Sequence, residues 1–523
     1  MDRYNRIIIT FCFMVFVLGM ALANVKSIKL PVKDFIKGNI SFGQFTNSIA
    51  DSYVGKLKGK NAFVEINGLF NRLCGRIVHN DVVLLKNNVL NRNSEVEWNS
   101  EYEKNNMTDT VERMTDFNYF LKDKQIPFVQ VIAPYKVPVN KDNLPEGVEN
   151  DVNKYTDEYI DGLNKNGVLV LDLRKVLSAN SEQVKNYFYR TDHHWNTDGA
   201  FLAFKVIMNN LTNDFGGIYN IKSRYADVGL WQRIEIKDWF LGSQGKRVGT
   251  LFAGTDSLIY YIPKFKTHMS CIVPHSKNIF KGDFTAANIR DKYVQKRDYY
   301  RYDAYNIHIG GNFPLVKHRN KYATNDMKLF VIKDSFTLPL QAFMSTEFTE
   351  IDVIDPRYYR NSSVAEYILW TRPDLVLKVN APIGLTAKEY NEFGVKDGMH
   401  HNKKVLLSNC SIILEANDSN YTHKKLPVNL MVGKTYKLDI GSLNLTKGKT
   451  DGISLMLFDF KNKKIIRHEI LDVEFEKHKD SSSWTFKMPK EMSDYGLLIY
   501  SGVYGKTKGI GIEVNDIAVF EEI

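Results

Sequence analysis

The chain has 523 residues, 44% hydrophobic and 12% aromatic, with a formal net charge of +10. That length exceeds one ordinary core and that composition excludes a disordered or fibrous chain, so two or three globular domains are expected. The positive balance favours anionic partners such as acidic glycans or lipid headgroups, whereas scattered lysines and the lack of zinc-finger or ribonucleoprotein motifs argue for no nucleic-acid partner.

Arg3 and Arg6 precede an apolar run from Ile7 to Ala23 that closes on Ala21-Leu22-Ala23. A basic start, an apolar centre and a small-x-small end are the parts of a signal peptide, so residues 1–23 are expected to direct export. The run also approaches the roughly 17–25 residues that span a bilayer, so an uncleaved membrane anchor is the alternative. In the anchored case the basic start places the bulk of the protein outside the cytoplasm, so an exported, extracytoplasmic protein is expected either way. Beyond Cys12, within the run, Cys74, Cys271 and Cys410 lie far apart and show no CxxC spacing. This excludes a disulfide framework and a zinc cluster, and neither metal nor cofactor is expected.

Residues 24–100 read as a mixed helical and hairpin extension, with a strand at Asp81–Leu85 and a turn at Asn87-Asn88. A helix is predicted from about Asn106 to Lys124, because Met107, Val111, Met114, Phe117 and Leu121 recur at helical spacing. Apolar strands follow at 128–132, 168–172, 328–332, 351–354 and 375–377, with helices at about 198–211 and 364–370. Such alternation over 101–390 predicts an α/β fold, a parallel sheet with helices on both faces, whose ligands bind at the strands' carboxyl ends. The aromatic, basic and turn-rich stretch at about 219–327 breaks the alternation and is expected to be an insertion walling a cleft. From 403 to 523 the period becomes two, as at Tyr436, Leu438 and Ile440 and at Trp484, Phe486 and Met488. That pattern predicts a C-terminal antiparallel β-sandwich.

The segment Arg190-Thr191-Asp192-His193-His194-Trp195-Asn196-Thr197 stands just before the 198–211 helix, which Asn196 or Thr197 would cap. Asp-x-His spacing brings a carboxylate beside an imidazole and can hold the ring in the tautomer a general base needs. Trp195 is expected to pack beside the pair. Two other readings compete: a polar turn with satisfied histidines, and a metal site built from Asp192, His194 and Asp198. A base also needs a nucleophile. Ser335 ends the buried run Phe330-Val331-Ile332-Lys333-Asp334, which places its hydroxyl at a strand's carboxyl end and its N–H at a helix start. Ser243, in Gly242-Ser243-Gln244-Gly245, is the competing serine and follows no clear strand.

At Asp192-His193-His194-Trp195 the chain resembles the DHHW family, an SGNH-hydrolase-like group related to the alginate O-acetylation proteins AlgJ and AlgX. The resemblance covers roughly residues 64–380 and implies a flavodoxin-like sheet. It implies that Asp192 orients, His194 is the base and Ser335, 141 residues later, is the nucleophile, with His193 at the variable position. Lys136 in Pro134-Tyr135-Lys136 and Arg357 in Asp355-Pro356-Arg357-Tyr358 also look like family features near strand ends. Lys333 departs from the usual Gly-Asp-Ser by replacing its glycine. The C-terminal region resembles a carbohydrate-binding module, in which Tyr500 and Tyr504 could stack on sugars.

By resemblance the chain is a polysaccharide O-acetyltransferase acting on extracellular or cell-wall polysaccharide, with a membrane-bound O-acyltransferase as partner. A carbohydrate esterase using the same three residues, and a non-catalytic glycan-binding or assembly protein, are the alternatives. The catalytic readings require Ser335 Oγ within about 4 Å of His194.

Overall fold

Strands buried on both faces set the position of everything else in the molecule. The computed structural model describes all residues except 1–2, 25–28, 40, 49–58, 93–99, 149, 215–220, 389–391, 396–402, 419, 477–481, 492 and 523. The apolar N-terminal run forms helix α1 (Arg3–Asn24), on which Phe11, Phe13 and Leu18 are exposed. Among residues whose side chains are described, no helix is long and apolar enough to cross a membrane; several α1 positions lie outside that set. Helix α2 (Lys60–Leu73) leads to a small antiparallel sheet of β1 (Val78–His79), β2 (Val82–Leu84) and β3 (Leu90–Arg92). Asn88 turns the chain between β2 and β3 at a φ of 62°.

Helix α3 (Ser100–Asp123) buries Met107, Met114, Phe117 and Leu121, the stripe its spacing predicts. Next come β4 (Phe128–Ile132), α4 (Val152–Lys165), β5 (Leu169–Asp172), α5 (Thr197–Asn209) and the paired β6 (Trp231–Phe240) and β7 (Asp256–Pro263). Then follow β8 (Met269–Val273), β9 (Asn278–Gly282), β10 (Leu315–Asn320), β11 (Asn325–Lys333), α6 (Thr337–Met344), β12 (Phe348–Ile354), α7 (Val364–Thr371) and β13 (Leu375–Asn380).

The central sheet has the order β5-β4-β13-β11-β12-β10-β8-β9. Its first five strands are parallel. Side chains alternate between two apolar layers: Val129 and Val131 of β4 enter the layer containing α5 and α6, while Phe128 and Ile132 enter that of α3, α4 and α7. Both layers are apolar, so the strands read as largely apolar runs. At the start of α7, Ser363 and Glu366 form a reciprocal capping box.

The stretch 219–327, expected to be an insertion, instead adds β8, β9 and β10 to this sheet in antiparallel pairing, so the sheet is mixed. Of the described strands in that stretch, β6 and β7 pair as a separate ribbon outside it. Its polar spelling hid β10. Lys317 and Arg319 look solvent-facing, yet both are buried, paired with Glu469 at 2.8 Å and Asp352 at 3.0 Å.

The C-terminal strands are β14 (Lys403–Leu414), β15 (His423–Lys425), β16 (Thr435–Ile440), β17 (Ser442–Lys447), β18 (Gly452–Asp459), β19 (Lys464–Asp472), β20 (Ser482–Lys487), β21 (Tyr495–Tyr500) and β22 (Gly511–Glu522). They form two antiparallel sheets, β14-β22-β16-β20 with β17 on β22, and β15-β21-β18-β19. Leu438, Trp484 and Phe486 meet Leu455, Leu457 and Leu497 in the core between them, a sandwich. It contacts the antiparallel end of the central sheet through Lys317–Glu469, Lys281–Asp472 at 3.0 Å and His268–Glu474 at 2.9 Å.

Candidate active site

The segment before α5 is held in part by a half-buried carboxylate. Asp256 accepts hydrogen bonds from Arg190 N (2.7 Å), Thr191 N (2.8 Å) and Thr191 Oγ1 (2.6 Å). Asn196 caps α5 by accepting from Gly199 N at 2.9 Å, so the chain leaves the site at a fixed angle. Buried Lys136 donates to the carbonyls of Leu90 (2.6 Å), Arg190 (3.1 Å) and Asp192 (2.6 Å) and to Gln244 Oε1 (3.2 Å). Its ammonium therefore ties β3, the Asp192 loop and the 242–245 turn together rather than opening onto a cleft.

Gly242 is required at that turn. A Cβ there would stand 2.2 Å from Asp192 Cβ, so only glycine allows the backbone to approach. The approach lets Ser243 N donate to Asp192 Oδ2 at 2.7 Å. The other oxygen, Oδ1, lies 3.1 Å from His194 N and 2.5 Å from His194 Nδ1. Burial opposes charge on Asp192, but His193, His194 and the Ser243 N–H together hold its carboxyl well below the usual range.

Across the imidazole, His194 Nε2 stands 2.7 Å from Ser335 Oγ. Ser335 follows β11, where the Asp334 side chain accepts from Phe336 N (2.9 Å) and Ala381 N (2.6 Å). These bonds pin the turn to the end of β13. They also engage the Phe336 N–H, whereas no hydrogen bond to the Ser335 N–H occurs among the described residues. The structure thus brings Asp192, His194 and Ser335 into one hydrogen-bonded line at the carboxyl edge of the parallel strands.

The remaining sequence candidates occupy distinct places. Trp195 is fully buried and donates Nε1 to Phe336 O at 3.0 Å, so it supports the turn after Ser335. Tyr305 instead stacks flat on His194, with centroids 3.8 Å and planes 10° apart, and its hydroxyl donates to Ser335 O at 3.0 Å. Residue spacing does not disclose Tyr305, because it lies among the many aromatics of the 219–327 stretch. Ser243 Oγ faces His193 Nδ1 at 3.2 Å, not His194. Arg357 forms a fork with Asp355, through Nε at 2.9 Å and Nη2 at 2.8 Å. Asp355 also faces buried Lys333 at 3.4 Å, and Lys333 donates to Asn312 Oδ1. Burial pushes the Lys333 amine down to about 8. Asp303, another residue not singled out from sequence, accepts from Tyr305 N and is pushed up to about 6 by burial and the Asp192 charge.

A metal would find one ligand atom each on Asp192, His193 and His194, all within 4.8 Å of one another. However, both His194 nitrogens already face Asp192 and Ser335, which leaves no lone pair directed to an ion. Asp198, the third member of the metal reading, instead pairs with Arg233 and Tyr261.

Residues 87–225 match the family model described as "SGNH hydrolase-like domain, acetyltransferase AlgX". No curated protein matches the chain. Among solved structures, Bacillus cereus PatB1 with a sulfonyl adduct shares 20% identity and a TM-score of 0.50, covering 60% of this chain and 98% of that one. Another PatB1 structure shares 22% identity, with a TM-score of 0.49 and coverage of 58% and 95%. A DHHW family protein from Eubacterium siraeum shares 19%, with a TM-score of 0.40 and coverage of 55% and 88%. The chain therefore carries an SGNH hydrolase-like domain similar to that of the acetyltransferase AlgX.

Proposed function

We propose that the protein is an O-acetyltransferase acting through a Ser335 acyl-enzyme. The observation that carries this reading is the line Asp192–His194–Ser335, with separations of 2.5 and 2.7 Å. Asp192 stays ionised and holds Nδ1–H, so Nε2 is the free base facing the serine. His194 Nε2 takes the Ser335 proton as Oγ attacks the acetyl carbonyl carbon. The oxyanion that forms is met by the Ser335 N–H, since the Phe336 N–H is already bound. His194 then protonates the leaving oxygen of the donor, leaving acetyl on Oγ. In the second half, an acceptor hydroxyl loses its proton to Nε2 and attacks the acetyl carbon; the proton returns to Oγ.

The acceptor is an extracellular or cell-wall polysaccharide and the acetyl source a membrane-bound O-acyltransferase. The likeness to an acetyltransferase domain and an N-terminal segment suited to export support this reading. The C-terminal sandwich holds the polymer in this reading.

The test is to quench the protein during turnover of an activated acetyl ester and map the acetyl group by peptide mass spectrometry. Acetyl on Ser335, accumulating and then decaying, is expected. Acetyl on Ser243, or turnover that persists in Ser335→Ala, would contradict the reading.

A further inference from the structure

Two imidazoles share the Asp192 carboxylate, and only one of them serves Ser335. His194 is 8% exposed, whereas the side chain of His193 is 39% exposed, with Nδ1 3.5 Å from Asp192 Oδ1. Their ring centroids are 3.8 Å apart. His193 Nδ1 also faces Ser243 Oγ at 3.2 Å, and Ser243 is exposed. With Nδ1 directed at Ser243 and Asp192, the geometry of the ring turns Nε2 away from both.

The site consequently has two chemical walls. Its inner wall is aromatic: Tyr305 lies on His194, and the Phe336 centroid is 5.1 Å from the same ring. Its outer wall is polar and small, made by His193 and Ser243, and it lies one ring beyond the base. Hydroxyl groups both donate and accept, as a serine does, and an imidazole offers ring nitrogens as hydrogen-bonding groups, so this wall matches a polyhydroxylated ligand better than an acyl chain.

We propose that His193 and Ser243 form the acceptor subsite, which seats a carbohydrate hydroxyl beside the acetylated Ser335 and favours it over water. This rests on the acyl-enzyme reading above. In the transfer step the bound acceptor O–H gives its proton to His194 Nε2 and forms the new ester bond, while the Ser335–acetyl bond breaks and Oγ regains the proton. His193 binds and orients; it does not exchange the proton.

The experiment partitions the acetyl-enzyme of the full-length protein between water and glycerol, a vicinal-diol mimic of a sugar, with 4-nitrophenyl acetate as donor. The readout is the ratio of monoacetylglycerol to acetate, which does not depend on how fast Ser335 is acetylated. Wild type is expected to favour glycerol well above its molar share. His193→Ala should lower the ratio about fivefold to tenfold, the effect of one lost hydrogen bond. Ser243→Ala, which keeps the backbone N–H on Asp192, should lower it less, and His193→Gln should restore part of it. A wild-type ratio equal to the molar share, or one unchanged in His193→Ala, would overturn the subsite while leaving the acyl-enzyme intact. No Ser335-dependent release of nitrophenol would instead remove the acyl-enzyme reading itself, and the subsite with it.

Discussion

Tyr305 lies flat on the His194 imidazole, centroids 3.8 Å and planes 10° apart, while its hydroxyl reaches the carbonyl of Ser335 at 3.0 Å. One side chain thereby fixes the ring plane of His194 and the backbone of Ser335. Tyr305→Leu removes both restraints and is expected to lower kcat about tenfold to hundredfold with KM nearly unchanged, since orientation rather than ground-state binding is lost. Tyr305→Phe keeps the stack and should stay within about threefold of wild type. Steady-state kinetics on an acetyl ester, with Tm measured alongside, separate this positioning role from simple destabilisation.

Ser335→Ala and His194→Ala should each remove nearly all ester turnover, about a thousandfold or more, because the nucleophile is inert without its base. The double variant should be little worse than either single one, as expected of groups that act in one step. Asp192→Ala should retain more activity than either, because Asp192 orients and stabilises without transferring the proton. Initial rates across the four variants check the order.

Much of this site is legible from local sequence. Asp192 and His194 are two residues apart and are followed by a helix cap, so their closeness needs no knowledge of the fold. Ser335 ends an apolar run too short and too β-branched to be a helix, which places it at a strand's carboxyl edge. The parts that stay hidden are contacts between distant segments. Gly242 matters only because it meets Asp192, 50 residues earlier, and Asp256 because it caps the backbone at Arg190 and Thr191. The antiparallel strands β8 to β10 are hidden for a similar reason. His318 and Arg319 carry polar side chains whose burial depends on partners such as Gln341 and Asp352. Lys136 looks like a cleft residue by its place after β4, yet its ammonium is consumed by backbone carbonyls.

Lys333 offers a pH test of the strand end. Burial lowers its amine from the ordinary lysine value of 10.5 to about 8, so the folded protein carries fewer protons there than the unfolded chain between those values. Stability rises with pH wherever the unfolded state binds more protons. The destabilising charge is therefore fully present below pH 8 and is relieved as pH climbs toward 10.5. Relative to Lys333→Met, wild type should gain stability between pH 7.5 and 9.5, by about 1–2 kcal/mol. Urea denaturation of both proteins at the two pH values measures the difference, and a constant gap would remove Lys333 from the account.

Covalent labelling reads out whether Ser335 is the nucleophile that His194 activates. Full-length protein is treated with a fluorophosphonate probe and the modified peptide is identified by mass spectrometry. A single adduct on Ser335 is expected, formed quickly in wild type, lost in Ser335→Ala and strongly slowed in His194→Ala. An adduct on Ser243, or a wild type that resists the probe while Ser335 remains 2.7 Å from His194, would contradict that role.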